Sequence, residues 1–466
     1  MIEDKFLPDG FRDMIIDSFG SKIADVLLPA LTGEPDTSIR INRYKSPEFS
    51  LYDGMTHVGW CDSACYLDRR PRFTSNPLLH AGVFYVQDAS STVYETIVRA
   101  LTGENQVRAA DLCAAPGGKT TAILNALPEG SVMLANEFVA SRAGVLKENL
   151  CKYGYPDIVI TNTDTKKLAS LKNYFDLVAI DAPCSGEGMM RKEEMARSQW
   201  SEGLIRQCAA LQRGIIDNAV EMLAPGGYLI YSTCTFNTQE DEDNAAYIAD
   251  TYGLNPVDTG LAGQFGILPQ LKGDIPCLRF MPGFTRGEGL FVTVFRKPAD
   301  NDDSMRNAGR AGKKTKDKKK DNKAKTRIDS GILSAAKSWI DGDYKIRRHG
   351  DTLLALSPET DDLLSLIPKD VRVLSAGLKI GDIKGRDLIP SHSLAMSILA
   401  DLPFPKVELT EEEALRYLSR EAIALPPDTP RGFVAVTFGG YRLGFVKNVC
   451  NRSNNLYPAE YRIRNH

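Results

Sequence analysis

The sequence predicts an α/β protein: a mostly parallel sheet with helices on both faces, flanked by a small N-terminal α+β region and a β-rich C-terminal module. Three observations carry this. Between residues 106 and 297, strand-like runs alternate with helical patterns, as repeated βαβ units do. The first of these runs ends in a turn of small residues, Asp111-Leu112-Cys113-Ala114-Ala115-Pro116-Gly117-Gly118-Lys119-Thr120, with a helical pattern opening at Lys119. Acids and cysteines recur at or just past the ends of successive runs (Asp111, Glu137, Asp164, Asp181, Cys234), where open α/β sheets collect their ligands.

The strand runs are 107–112, 132–136, 158–161, 177–181, 227–232 and 290–295, and the helical patterns between them include 140–153 and 201–223. Small residues at a strand-to-helix junction let the backbone approach a ligand closely while free helix N–H groups point at it. The turn is not GxGxxG, so a dinucleotide is not the first expectation. Glu137 follows Asp111 by 26 residues, where a carboxylate accepts hydrogen bonds from ribose hydroxyls. Asp164 is placed to accept from an adenine amine. Each acid alone reads as surface; as a set at successive strand ends they read as a nucleoside site.

Before the alternating region, 1–92 form an N-terminal α+β region with helical periodicity over 11–28 and an alternating stretch, 37–42, that presents Arg40 and Asn42 on one face. A solvated strand edge serves that spacing equally well. Gln87-Asp88-Ala89-Ser90-Ser91 leads into a helix over 91–101. The α/β domain proper spans 93–297. Residues 298–328 are Asp/Asn- and Lys-rich, with the composition of a disordered linker. A mixed α/β segment (329–405) and a compact module (406–466) follow. In the latter a helix over 410–418 precedes two β-rich runs around Gly439-Gly440, a strong hairpin signal.

Composition narrows the classes. At 466 residues the chain exceeds one core of ~150 residues. No apolar run reaches the ~18 residues of a spanning helix, and residues 1–5 lack a basic signal-peptide region. Nine scattered cysteines suggest reduced thiols in a cytoplasm. Only Cys61 and Cys65 lie close together, and no second pair completes a zinc set, so no metal is expected. The net charge of −3 hides an asymmetry: 310–327 carry ten Lys/Arg and two Asp, a segment charge of +8 that leaves −11 for the rest. That arm is either a solvated spacer or an electrostatic contact for nucleic-acid phosphates.

Two thiols stand out. Cys184, in Asp181-Ala182-Pro183-Cys184-Ser185-Gly186, and Cys234, in Ser232-Thr233-Cys234-Thr235, lie in polar strand-end turns that suit a nucleophile. Cys113 shares its loop with the small-residue turn and reads as packing; Cys151 and Cys208 fall in helical patterns and read as core. A thiol beside a nucleoside cleft suits methylation at pyrimidine carbon 5, because adding a thiolate to carbon 6 makes carbon 5 nucleophilic. Asp181 would hold the base. Spacing does not choose between the two thiols.

At these motifs the chain resembles the Nol1/Nop2/Sun family of RNA cytosine-C5 methyltransferases, and within it the bacterial ribosomal RNA branch of the RsmF type. The resemblance rests on 111–120, Asn136-Glu137, Asn162-Thr163-Asp164, 181–188 and 231–236, and more weakly on Arg40-Ile41-Asn42, 87–91 and the final module, which is similar to a PUA-like domain. It implies a Rossmann-like class I methyltransferase fold. It implies that S-adenosylmethionine contacts Cys113, Ala114, Ala115, Pro116, Gly117, Gly118 and Lys119, with Glu137 on the ribose, Asp164 near the adenine, and Asp181 reaching the active centre. It makes Cys234 the nucleophile and gives Cys184 a part in product release. RNA, with small-subunit ribosomal RNA as the leading substrate, would meet Arg40, Asn42, Arg442, Lys447 and Arg452, with the protein acting as a monomer and no membrane involved. Transfer RNA is the alternative substrate, and a catalytically inactive ribosome-assembly protein the alternative of another class. The chain departs from the family pattern at Asp88 (Glu is usual), Met190 (an aromatic) and Gly283 (His), the last two where the target nucleotide is expected to sit.

Overall fold

A computed structural model describes residues 7–46, 50–299, 328–399, 402–450 and 452–464; the basic segment 310–327 lies outside the described residues. The helical pattern of 11–28 forms two helices, Phe11–Phe19 and Ser21–Ala30, because Gly20 between them adopts φ +82° and ψ 164°. A four-stranded antiparallel sheet follows, made of β1 (Thr37–Ile41), β2 (Thr56–Val58), β3 (Cys61–Leu67) and β4 (Phe84–Val86) in the order β2-β3-β1-β4. The strand holding Arg40 is therefore not an edge. It is flanked on both sides, and its first four residues are buried.

All six predicted strand runs join one large sheet. Its members are β5 (Arg108–Asp111), β6 (Val132–Asn136), β7 (Ile158–Asn162), β8 (Phe175–Asp181), β9 (Leu223–Thr233), β10 (Asn255–Pro256), β11 (Leu278–Phe280) and β12 (Leu290–Arg296), plus one strand from further along the chain. The order runs β10-β12-β9-β8-β5-β6-β7, with β11 beside β12; β9 through β7 are parallel and β12 is antiparallel. The chain builds outward from β5 to β7, then returns to place β8 on the other side of β5. That reversal opens a crevice between the carboxyl ends of β5 and β8, the usual ligand position in such sheets.

Helices cover both faces. Helix Glu202–Met222, capped by the Ser201 hydroxyl on the Leu204 amide, buries Ile205, Ala209, Gln212, Ile215, Ile216, Ala219 and Val220 along one stripe. All five residues of β6 are buried, as a strand covered on both sides requires.

Beyond the basic segment, β13 (Lys345–His349) and β14 (Thr352–Leu356) lead to β15 (Arg372–Ala376), which pairs antiparallel with β7 and extends the large sheet. The segment expected to stand between the two domains thus shares hydrogen bonds with the first. Strands β16 (Leu378–Lys384) and β17 (Asp387–Pro390) complete a small sheet with β13 and β14. In the last module, β18 (Lys406–Glu408), β19 (Gly432–Phe438), β20 (Tyr441–Asn448) and β21 (Ser453–Asn455) form the fourth sheet. The β19–β20 hairpin turns at Gly439 and Gly440, both with positive φ, as the sequence signal requires. A capping box at Thr410 and Glu413 starts helix Glu411–Leu418. One apolar cluster joins this module to the N-terminal sheet: Ile39, Leu67, Phe73 and Leu78 pack with Leu409, Tyr417, Val434 and Leu443. Among the described residues no helix is long and apolar enough to cross a membrane.

Candidate active site

The small-residue turn sits at the end of β5, in the crevice. Asp111 is buried; its carboxylate accepts from the Thr120 hydroxyl (2.7 Å) and the Cys113 amide (3.3 Å), which ties the turn to the helix that follows. Burial pushes its pKa up to about 7, against the pull of Thr120. Gly117 has φ +110° at the entry to helix Gly118–Ala126, a backbone state that favours glycine. Outside the turn, the Pro116 carbonyl accepts from Asn149 (2.8 Å) and Tyr85 (3.3 Å), and the Ala115 carbonyl from Arg142 (2.8 Å). Burial, then the charges of Asp111 and Asp181, hold the Cys113 thiol well above its usual range, so it stays protonated.

Glu137 follows β6 and is 3% exposed. One of its oxygens accepts from the Val139 amide (2.8 Å); the other has Arg142 at 3.9 Å. Asn162 steadies this loop by donating to the Glu137 and Phe138 carbonyls. Phe138, in the loop after β6, is 68% exposed, an aromatic face that no sequence motif announced. Asp164 caps helix Thr165–Leu168 through the Lys166 amide.

Across the crevice, Asp181 ends β8. Lys119 Nζ lies 2.8 Å from one of its oxygens, and the Ser232 hydroxyl donates to the other at 2.9 Å. Tyr94 donates in turn to Ser232 (2.8 Å), a partner from before the large sheet that no motif announced. Burial alone would lower the Lys119 pKa; the Asp181 charge outweighs it and the net shift is upward, so Lys119 is an ammonium.

The two thiols meet. Cys184 Sγ and Cys234 Sγ are 3.0 Å apart, both cysteines are free and half-buried, and the Cys234 amide donates to Cys184 Sγ at 3.4 Å. The hydrogen bond to Cys234 first, then burial and the charges of Cys234 and Glu240, hold the Cys184 thiol well above its usual range. Beneath the pair lie two buried acids. Glu187 accepts from the Phe236 and Asn237 amides (2.7 and 2.9 Å), Trp200 Nε1 (3.0 Å) and the Asn237 side chain (3.0 Å). Glu240 accepts from the Ser185 amide (3.1 Å), Gln212 (2.6 Å) and the Asn237 side chain (2.8 Å). Glu187 lies inside a recognised motif, but its role was not legible. The spacing Asn237-x-x-Glu240 has the form of a capping pair, and Asn237 Oδ1 does accept from the Glu240 amide (3.0 Å).

Three family models match in chain order: the N-terminal domain of 16S rRNA methyltransferase RsmF (residues 7–89), 16S rRNA methyltransferase RsmB/F (98–296) and the methyltransferase RsmF PUA domain (404–463). The chain is 32% identical to the ribosomal RNA small subunit methyltransferase F of Klebsiella pneumoniae over 87% of this chain and 84% of that one. The chain belongs to the ribosomal RNA small subunit methyltransferase F family. The Shewanella loihica member is 29% identical over 98% of this chain and 93% of its own. Two solved structures share the fold: NSun6 from Pyrococcus horikoshii with SFG (20% identity, TM-score 0.54, 63% of this chain and 99% of that one) and a methyltransferase homolog from the same organism (24%, 0.52, 61% and 93%).

As a member of this methyltransferase family the protein uses S-adenosylmethionine. Its residues fit the cofactor. Glu137 is a buried acid with acceptor capacity left over, Gly117 opens a helix at the end of β5, and Phe138 offers an exposed aromatic face. Among the described residues no group of three or more His, Cys, Asp or Glu is placed to hold a metal.

The expected RNA contacts need correction. Arg40 is wholly buried; it donates to Gln87 (2.9 Å) and Thr121 (2.6 Å) and lies 4.0 Å from Glu95, locking the N-terminal sheet to the helix that follows the small-residue turn. Asn42, 2% exposed, donates to the Gly82 and Tyr153 carbonyls (both 3.0 Å). Both are domain-joining residues, not surface contacts. The Arg442 guanidinium donates to the Ala395 and Ser397 carbonyls (2.8 and 2.7 Å) and pins the loop after helix His392–Met396. Lys447 lies over the Phe433 ring at 5.3 Å, and Arg452 is exposed. Two of the three departures are packing choices: Met190 is fully buried in a cluster with Trp200 and Phe236, and a Cβ at Gly283 would lie 2.9 Å from the Val26 carbonyl.

Proposed function

We propose that this methyltransferase makes 5-methylcytosine in 16S ribosomal RNA through a transient bond between Cys234 Sγ and ring carbon 6. The observation that carries the reading is the contact of two free thiols at neighbouring strand ends, with the Lys119–Asp181 ion pair within electrostatic reach of both. A methylase acting on an amino group needs no thiol.

The target base leaves its stack to enter the crevice. Cys234 Sγ, as thiolate, adds to carbon 6, and the electron pair of the 5,6 double bond moves onto carbon 5. Asp181, held from two sides by Lys119 and Ser232, accepts from the exocyclic amine and fixes the ring. When bound, S-adenosylmethionine supplies the electrophilic methyl group. A base then takes the proton from carbon 5, the carbon 6–sulfur bond breaks, and the thiolate returns. Cys184, a protonated thiol in contact with Cys234, assists that release. The side chains named here all belong to one chain, and we take the enzyme to be a monomer that meets its RNA in the cytoplasm. Lys447, Arg452 and the basic segment supply the first RNA contacts to test.

Cys234→Ala abolishes methyl transfer, whereas Cys184→Ala accumulates a covalent protein–RNA adduct that survives denaturing electrophoresis. A Cys234→Ala enzyme with full activity means another nucleophile. Mapping 5-methylcytosine in ribosomal and transfer RNA, with and without the gene, decides the substrate.

A further inference from the structure

The two thiols stand on separate strand ends, and the sheet does not by itself fix them in contact. The last ladder bond between β8 and β9 runs from the Ala182 amide to the Ser232 carbonyl (2.8 Å); Cys184 and Cys234 both lie beyond it. From there a second set of bonds takes over. The Ser185 and Thr235 hydroxyls, each one residue past a thiol, are 2.9 Å apart. The Asn237 amide nitrogen lies within hydrogen-bond distance of Thr235 Oγ1 (2.9 Å), Ser185 Oγ (3.3 Å), Glu240 (2.8 Å) and Glu187 (3.0 Å). Glu240 accepts from the Ser185 amide itself. Neither Asn237 nor Glu240 is within hydrogen-bond distance of a sulfur.

We propose that Glu240 and Asn237 are positioning residues for the second half of the reaction: through Ser185 they hold Cys184 against Cys234, and so set how fast the covalent adduct is released. The inference rests on the two-thiol reading above and adds to it the residues that keep the thiols in register. Glu240 is wholly buried, and a buried carboxylate is costly unless its acceptors are filled. Here Ser185, Gln212 and Asn237 fill them. A neutral amide at this position would turn a donor toward those donors and let the Cys184 loop relax. The anion also faces Cys184 and favours its protonated form, the form that assists release. The Cys234 loop has its own brace in Glu187, so loss of Glu240 falls mainly on Cys184.

The test compares wild type, Cys184→Ala, Glu240→Gln and the double variant with 16S ribosomal RNA and S-adenosylmethionine, reading the fraction of protein trapped as adduct, the turnover rate and KM. Glu240→Gln should accumulate adduct, with KM for RNA near wild type and kcat lower by about 10- to 100-fold, as loss of alignment at a reacting centre costs. Because Glu240 acts through Cys184, the double variant should trap no more adduct than Cys184→Ala alone. Should Glu240→Gln fold poorly, Thr235→Val removes the hydroxyl that meets Ser185 and Asn237, leaves the Glu240 bonds in place, and should show the same adduct at a lower level. The inference is overturned if Glu240→Gln and Thr235→Val lose activity without trapping RNA, or if the Glu240→Gln effect adds in full to that of Cys184→Ala. A Cys184→Ala enzyme that traps nothing removes the two-thiol reading itself, and the inference with it; trapping by Cys184→Ala alone removes only the inference.

Discussion

Gly188 is where the thiol loops are most tightly constrained, and Gly188→Ala tests how far catalysis depends on that fit. Its amide donates to the Cys234 carbonyl at 2.9 Å. A Cβ at this position would lie 2.7 Å from Gly289 Cα and 2.9 Å from both the Cys234 and Gly289 carbonyl oxygens, where ordinary contact begins at 3.4 Å. All three neighbours are backbone, so no side chain can swing away. The loops must part by roughly half an ångström or more, and overpacking of this kind costs about 1–3 kcal/mol. With about 2–4 °C per kcal/mol for a domain of this size, Tm should fall by roughly 2–12 °C. One of the three crowded atoms belongs to Cys234 itself, and a misplacement of ~1 Å at a reacting centre costs up to about 10²-fold in rate. Labelled-methyl incorporation into 16S ribosomal RNA, measured well below the variant's Tm, should show kcat reduced by more than the folded fraction explains. Wild-type kcat together with wild-type Tm would refute the steric reasoning; a lowered Tm with full kcat would show that the loop tolerates the shift.

Further perturbations separate structural from chemical roles. Asp111 has its pKa raised to about 7 by burial, so between about pH 4 and 7 the folded state keeps a proton that the unfolded state releases. The stability it contributes is present below about pH 4 and lost as pH rises through 7; thermal melts of the cofactor-free protein should show that decline, and Asp111→Asn should flatten it. Arg40→Leu strips Gln87 Oε1 and Thr121 Oγ1 of a buried donor, while Glu95 keeps Asn125 and Arg99, and should cost about 1–3 kcal/mol per stranded acceptor in denaturant unfolding. RNA affinity of the folded fraction should not change; a drop confined to RNA binding would restore Arg40 as a contact. Glu187→Ala strips acceptors from two backbone amides, Trp200 and Asn237, and should destabilise by at least ~3 kcal/mol on the same assay.

The large sheet was legible because its strands are covered on both faces: runs such as 132–136 are apolar up to their last residue, Asn136, and chain-local turns mark their ends. The acids and thiols at those ends could be read in order for the same reason. Long-range pairing was not legible. Nothing in Arg372–Ala376 announces that it extends the sheet beside a strand two hundred residues earlier. Arg40 misled because an arginine in an alternating stretch has the same spacing whether it faces solvent or the back of a helix, and only the position of Thr121 and Gln87 decides. The helix over 11–28 was read through Gly20, where periodicity continues but the backbone does not. Glu187 and Glu240 escaped because buried carboxylates are exceptions to the rule that places acids at the surface.

The apolar cluster that welds the first sheet to the last module has a bearing on target choice. Two ends of the chain that grip the same core cannot swing independently of the catalytic crevice, since Arg40 and Asn42 fasten that first sheet to the helices around the cofactor turn. If the last module holds RNA as proposed, the molecule works as a caliper with one fixed opening: only the nucleotide at one set distance is offered to the thiols, and selection among cytosines that the proposed chemistry treats alike becomes a matter of length.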